Sequence, residues 1–299
     1  MNLYLETFFM PSPDEETNCF IYNPEFKRTC YNNYYPFKTL PEYIRRLDFN
    51  PITIIYGANG SGKTTILNLI AETLGIRRST KINKSSFMDF YIKMCRYKMR
   101  TEPLVSKIIT SDDVFSDLFL TREKNEIIDR NREEAIQFRN KCNTPGVYIK
   151  DIMQEMIGDG NWIENIDVLQ SVLGARGKTA SKVAKKRAGA NIIGKSNGET
   201  AIEYFYSNVK EPGLYLFDEP ENSLSASYQR ELADFLYESA RFFEAQLIIS
   251  THSPFMLSIP GAKIYNLDDE NSLITENWTE LENMIEYFKL FDKYRDAFE

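Results

Sequence analysis

The residues that most restrict what this chain can become are Gly57-Ala-Asn-Gly-Ser-Gly62-Lys63-Thr64, in the spacing GxxxxGK[ST]. Before them runs Pro51-Ile-Thr-Ile-Ile-Tyr56, apolar, β-branched and of buried-strand length. After them, from Lys63 to Leu74, the apolar residues Ile66, Leu67, Leu69, Ile70 and Leu74 read as one face of a helix. Glycines let such a loop curl until its N–H groups face inward, and the following helix adds the positive end of its dipole. The spacing therefore predicts an anion cradle. A lysine and a hydroxyl at its exit suit the outer phosphates of a nucleoside triphosphate and Mg²⁺. A plain strand-to-helix turn needs no lysine. Candidate ATP contacts are Asn59, Gly60, Ser61, Gly62, Lys63, Thr64 and Thr65, with Thr64 also a candidate Mg²⁺ ligand.

A second apolar run, Gly213-Leu-Tyr-Leu-Phe217, ends on Asp218-Glu219-Pro220. An acid at the end of a buried strand beside a phosphate loop can hold a metal shell, and Asp218 is assigned that part. Glu219, pointing elsewhere, is the candidate general base that polarises an attacking water. The competing reading is a solvated acidic turn closed by proline. A third run, Gln246-Leu-Ile-Ile-Ser250, leads into Thr251-His252-Ser253-Pro254. His252, the one histidine of the chain, then emerges at the carboxyl edge of a strand, where open α/β sheets bind ligands. Its imidazole suits a hydrogen bond to a γ-phosphate.

Together these stretches resemble the ABC ATPases of the RecF/SMC-like branch, often small stand-alone "AAA family" ATPases of bacteria. The resemblance covers about Pro51–Leu74 and Ser196–Leu267. It implies a Walker A loop at Gly57–Thr64, a Walker B aspartate at Asp218 and a catalytic glutamate at Glu219. It also implies a D-loop around Asn222–Ser225 and a switch histidine at His252. A signature motif is expected upstream of Walker B, where Ser196-Asn197-Gly198-Glu199 departs from LSGGQ but is similar to the S-x-G-E variant. A serine hydroxyl and glycine amide at a helix start form an anion site. In the family that site caps the γ-phosphate held by the opposite subunit, so Ser196, Gly198 and Glu199 join the candidate ATP contacts. The same tetrapeptide is also a plain capping box. The family places a glutamine between Walker A and the signature. Ser111-Asp112-Asp113 stands at a suitable place but is the wrong residue type, and Gln137 falls in a charged helical run.

The resemblance further implies an ATP-hydrolysing homodimer, glued by ATP and opened by hydrolysis, in DNA maintenance or anti-phage defence. Its effector would be a nuclease or toxin encoded nearby. The alternatives are the soluble ATPase subunit of an ABC transporter and a nucleotide-dependent scaffold of negligible turnover. No second catalytic constellation is visible in the sequence.

Strands alternating with helices predict an α/β fold, a P-loop NTPase with an ABC-ATPase-like core, a β-rich N-terminal part and a helical insertion. Read as a single ATPase domain, the 299 residues divide into a core of about 1–76 and 196–299 and a helical lobe of about 77–195. In the N-terminal part, Leu3–Phe9 reads as a strand broken by Pro11–Asp14, Asn32–Pro36 as a turn and Leu40–Leu47 as a short helix. In the lobe only Ser106–Thr110 reads as a strand. Further on come a helix over Ser225–Phe243, a strand over Ala262–Leu267, and an amphipathic helix over Asn277–Phe298 with Trp278, Leu281, Ile285, Phe288 and Phe291 near one face.

No stretch approaches the ~20 apolar residues of a membrane span, and Met1–Pro13 lacks a basic leader, so a cytoplasmic protein without membrane insertion is expected. The four cysteines form no CxxC pair, and a single histidine excludes two-histidine metal sites. A net charge of −7 argues against a chain that coats nucleic acid as a whole. Locally, Arg176, Lys178, Lys182, Lys185, Lys186, Arg187 and Lys195 occur without one acid between Gly174 and Lys195. Arg77, Arg78, Lys81, Lys84, Lys93, Arg96, Lys98 and Arg100 form a second positive segment. A solvated face, contact with nucleotide across a dimer, and DNA are the three readings of the first run.

Overall fold

The computed structural model describes residues 1–28, 30, 33–82, 84–158, 165–189, 196–222, 224–270 and 273–298. Asn32 of the turn, Ser223 of the D-loop stretch and Lys195 of the basic run lie outside the described residues. The chain forms two compact units, residues 1–115 with 196–299, and residues 116–195.

The first unit is built on a sheet of parallel strands whose order is set by which segments must be buried on both faces. Strand β3 (Ile52–Tyr56) and strand β7 (Gln246–Ser250) are buried at every position, and β6 (Gly213–Asp218) at all but its last. Such double burial needs continuous apolar sequence, which these three segments have. They lie side by side in the order β5-β6-β7-β3-β8-β9, where β5 is Val105–Thr110, β8 Lys263–Asn266 and β9 Ile274–Thr275. All neighbours are parallel except the β8–β9 edge. The register sets one row of partners across the sheet: Thr110, Asp218, Ser250, Ile55 and Tyr265. The loops beginning at Glu219, Thr251 and Gly57, and the helix beginning at Ser111, therefore all leave the same end of the sheet.

A smaller antiparallel sheet has the order β2-β1-β4, with β1 at Leu5–Phe9, β2 at Arg46–Asp48 and β4 at Arg96–Met99. Gln246, fully buried in β7, ties the two sheets together. Its amide oxygen accepts from the Tyr4 and Leu5 N–H groups at 2.8 and 2.7 Å, and its amide nitrogen donates to the Leu5 carbonyl at 2.8 Å. Leaving those groups unpaired would cost about 1–3 kcal/mol each. Helix α2 (Lys63–Thr73) sinks Ile66, Leu67, Leu69 and Ile70 into the core with Leu5, Phe8, Leu47 and Ile55. At roughly 1.5–3 kcal/mol per buried aliphatic side chain, this packing anchors the helix start against the sheet.

Strand β1 ends at Phe9, before Pro11–Asp14, but the same residues also start an unexpected helix: Ser12 caps helix α1 (Pro13–Tyr22) in a capping box with Glu15, and Pro13 takes the first-turn position that its ring favours. No helix forms over Leu40–Leu47. That stretch turns and then enters β2, sending Leu40, Ile44 and Leu47 singly into the core. Within the insertion a strand was missed: Arg96–Met99 carries exposed polar residues and pairs at a sheet edge. Helix α3 (Met88–Met94) precedes it.

Helix α4 (Ser111–Cys142) begins in the first unit and ends in the second. The second unit continues with α5 (Ile149–Ile157), α6 (Ile166–Ala175) and α7 (Ala180–Ala188), around a core of Ala135, Cys142, Ile152, Met153, Val172, Ala175 and Val183. The chain then returns through α8 (Asn197–Asn208), α9 (Ala226–Phe242), the short α10 (Pro254–Leu257) and α11 (Glu282–Lys293). The expected helix over Asn277–Phe298 is divided, with 3₁₀ turns at Trp278–Glu280 and Arg295–Ala297 on either side of α11. Only Leu281 and Met284 of its apolar face are buried, whereas Ile285, Phe288 and Phe291 are exposed.

Candidate nucleotide site

The loop after β3 has the backbone its glycines anticipate. Gly60 and Gly62 stand at φ +87° and +101°, and a Cβ on Gly62 would lie 2.6 Å from Leu40 Cδ2. Either residue replaced by one with a side chain would be strained. At the loop's entry, a Cβ on Gly57 would meet Ser61 Oγ at 2.5 Å. Lys63 is 4 % exposed, and its ammonium folds back onto the Gly57 and Ala58 carbonyls at 2.8 and 3.1 Å. Burial holds its pKa below the ordinary lysine value, against the pull of Glu219 and Asp218. Ser61 Oγ is buried and finds no partner among the described residues. An orphaned hydroxyl and a buried ammonium at the start of a helix fit an anion with several oxygens.

The acidic end of β6 meets this loop. Thr64 Oγ1 donates to Asp218 Oδ1 at 3.0 Å, and Ser250 Oγ donates to the same oxygen at 2.5 Å. Burial raises the Asp218 pKa above the usual aspartate value in spite of both hydrogen bonds. An adjacent hydroxyl and carboxylate are the hard oxygen donors that Mg²⁺ takes, so the pair fits that ion. A carboxyl with a raised folded-state pKa favours the fold most while protonated. Stability without a cation should therefore fall as pH rises from below the free aspartate range through the raised value. Asp218→Asn keeps the acceptor and removes the charge. We expect it to raise the melting temperature at about pH 8 by about 2–4 °C and to flatten that fall. Thermal unfolding across pH checks this; an unchanged or lower melting temperature would contradict it.

Glu219 sits at φ +47°, a left-handed conformation uncommon away from glycine and of the kind found at functional sites. Its N–H is fixed by the Ser250 carbonyl at 3.0 Å. Its carboxylate approaches Lys63 Nζ at 3.9 Å and His252 Nε2 at 3.3 Å, and accepts from Asn222 at 3.0 Å. The histidine contact is an ion-pair distance without hydrogen-bond alignment, for the buried Nε2 has no hydrogen-bond partner among the described residues. The structure thus gathers Lys63, Thr64, Asp218, Glu219 and His252 in one place.

Three acids whose roles the sequence left undefined support this cluster. Glu221, buried and with its pKa raised by that burial, accepts at one oxygen from the Thr251 hydroxyl and from the His252 and Ser253 N–H groups, the latter two at 2.7 and 3.2 Å. It clamps the His252 loop to the end of β6. Asp268, beyond β8, takes the Ala58 N–H on both oxygens at 2.8 and 2.7 Å and so braces the phosphate loop. Asp113 accepts from the Thr110 and Thr80 N–H groups at 2.8 and 3.0 Å and fastens the corner from β5 into α4.

A cleft of about 560 Å³ opens beside Thr64 and Asp218, with Tyr35, Arg78, Ser111 and Asp112 among its other walls. No glutamine lines it. Ser111 and Asp112 stand in its wall, and Gln137 lies on α4 in the second unit. Ser196, Gly198 and Glu199 are not part of this cleft. They open α8 as a capping box, with the Glu199 N–H donating to Ser196 Oγ at 3.2 Å and the Ser196 N–H to Glu199 at 2.8 Å. Ser196 is exposed. Gly198 has a packing reason of its own, since a Cβ there would lie 2.5 Å from the Tyr228 ring.

Residues 204–258 match the family model described as "AAA domain, putative AbiEii toxin, Type IV TA system". A comparison with curated proteins finds no match. Among solved structures, the chain is similar to the Smc head domain of Pyrococcus furiosus, crystallised with an extended coiled coil and the C-terminal domain of ScpA. That pair has 14 % identity and a TM-score of 0.44, covering 98 % of this chain and 100 % of the other. An ATP-binding cassette of an ABC transporter in its ADP conformation has 15 % identity and a TM-score of 0.41, covering 97 % and 99 %. The SMC head domain from Thermotoga maritima has 12 % identity and a TM-score of 0.35, covering 91 % and 98 %. Among the described residues no helix is long and apolar enough to cross a membrane. With its phosphate loop at the head of a parallel sheet and the AAA match over the segment bearing Asp218, Glu219 and His252, the chain has an α/β fold of the P-loop NTPase kind.

Proposed function

We propose that the chain binds and hydrolyses ATP and acts as an ATP-gated dimer switch, a single ATPase domain with a helical lobe inserted before the signature segment. The observation that carries this reading is the junction of Thr64 with Asp218 at 3.0 Å, with Lys63 and Glu219 beside it. Residues Asn59 to Thr65 wrap the phosphates, and Lys63 exchanges its loop carbonyls for phosphate oxygens. Thr64 and Asp218 would hold Mg²⁺, which supplies positive charge against the phosphate oxygens. Glu219 takes a proton from a water attacking the γ-phosphorus in line, as the bond to the β-phosphate oxygen breaks and ADP and phosphate are released. His252 hydrogen-bonds the γ-phosphate and registers its departure.

The exposed Ser196–Glu199 corner serves the ATP of a second copy, its hydroxyl and helix-start amides facing the γ-phosphate. Each site is then complete only between two chains, and loss of the γ-phosphate removes the charge that joins them. The switch would act on an effector protein in DNA maintenance or defence. Phosphate release from ATP and Mg²⁺ tests the composite site. Turnover per chain should rise with protein concentration over the range in which dimers form. Turnover per chain independent of concentration, in a protein that stays monomeric with ATP, would contradict it.

A further inference from the structure

We infer that the second unit binds the phosphodiester backbone of a nucleic acid in the groove between α6 and α7. This goes beyond the ATPase reading and does not depend on it. The groove, about 340 Å³, is lined by Gln170 and Ser171 from α6 and by Lys178, Lys182, Lys186 and Arg187 from α7 and the turn before it. Asp167 is the one acid that touches it. From Val168 to Gly189 the sequence holds six lysines and arginines and neither aspartate nor glutamate, in a chain of net charge −7. Local charge of this sign has been concentrated where the rest of the molecule would oppose it.

The groove is also built rather than frayed. Arg176 Nε and Nη2 donate to the Cys142 and Val147 carbonyls at 2.9 and 2.6 Å, Arg139 Nε to the Lys178 carbonyl at 2.9 Å, and the Gly177 N–H to Asn143 at 3.1 Å. These bonds fix the turn between the two helices to the end of α4 and to the segment that follows it. Below, Val172, Ala175 and Val183 are buried in the unit's core. The Arg187 guanidinium lies 4.2 Å over the Phe138 ring, which sets its direction. Lys182 and Lys186, four residues apart on one helix, root their ammonium groups roughly 6 Å apart along its axis. Among the described residues no carboxylate stands within ion-pair reach of Lys178, Lys182 or Lys186. A row of cations unpaired among the described residues, facing an amide and a hydroxyl, suits a chain of phosphates. No aromatic ring lines the groove for bases to stack on, so recognition rests on the backbone and not on sequence.

The test is fluorescence anisotropy of the full chain with labelled oligonucleotides of about 20 residues: single-stranded DNA, duplex DNA and RNA. Four phosphate contacts predict that affinity falls about 50-fold for a single strand, and about 150-fold for a duplex, between 50 and 200 mM salt. Lys182→Glu with Lys186→Glu should weaken binding at least tenfold at the lower salt and remove about half of the salt dependence. Lys93→Glu with Lys289→Glu changes the net charge equally but away from the groove, and should leave affinity within about twofold. If the reversed pair unfolds by circular dichroism, Lys182→Gln with Lys186→Gln decides, with the same loss of salt dependence expected. The inference is overturned if wild-type chain does not bind at the lower salt, or if the distant pair weakens binding as much as the groove pair. Competition by polyglutamate as effective as by oligonucleotide would also overturn it, assigning the groove to acidic peptides. ATP turnover without nucleic acid should survive the groove substitutions; its loss in a folded variant would assign the groove to nucleotide and overturn this inference, whereas a wild-type chain without turnover would count against the ATPase reading alone.

Discussion

Glu219→Gln is expected to lower ATP turnover by about 10²–10⁴-fold while leaving ATP affinity within a few-fold. The side chain stands beside Lys63 and His252 on a backbone held at φ +47°, and its N–H is fixed by Ser250. Glutamine keeps the shape and the acceptor for Asn222 but cannot take a proton from water. Single-turnover phosphate release, with nucleotide affinity measured alongside, separates a base from a binding residue. A variant that hydrolyses ATP as fast as wild type would remove Glu219 from the chemistry. One that binds ATP 100-fold more weakly would make it a structural partner of Lys63 instead.

Lys63→Ala should abolish measurable ATP binding, a loss of at least about 10²-fold, because the phosphate charge would then be desolvated without the ammonium that the loop holds for it. The free protein should not suffer equally. The lysine is buried with its pKa depressed by desolvation, and among the described residues its ammonium is held by two loop carbonyls and the longer approach to Glu219. Removing a charge that burial disfavours offsets much of the lost hydrogen bonding. Calorimetric titration with ATP and a melting curve without it therefore separate the two effects. Affinity retained within tenfold would contradict the phosphate-loop assignment, and an unfolded variant would place Lys63 in the fold's support.

The part of this site that was legible in the sequence is the part written in contiguous residues. Strand, glycine loop and helix from Ile52 to Thr73 lie in order, and Asp218 and Glu219 come directly after an apolar strand. The clamp by Glu221 was not legible in the same way, because its donors, Thr251 to Ser253, come 30 residues later and reach it only through the pairing of β6 with β7. Asp268 reaches Ala58 across an even longer separation. Helix α1 was legible in principle, for Ser12 and Glu15 spell a capping box, but two nearby prolines read more loudly as a break. Strand β4 carries little apolar signal because it pairs at an edge with its side chains largely in water. Between Leu40 and Leu47 the apolar spacing is helical, yet those side chains enter the core one at a time from turns, with Lys38 at φ +56° just before. Local pattern predicts local structure only when the tertiary partner agrees with it.

The switch reading stands most directly on the mass of the Glu219→Gln chain in solution, measured by light scattering with and without ATP and Mg²⁺. The account predicts a monomer near 34.8 kDa without nucleotide and twice that mass with it. A further Ser196→Arg change should return the nucleotide-loaded protein to a monomer. A chain that remains monomeric with ATP bound, or a dimer indifferent to both nucleotide and Ser196, would contradict the composite site.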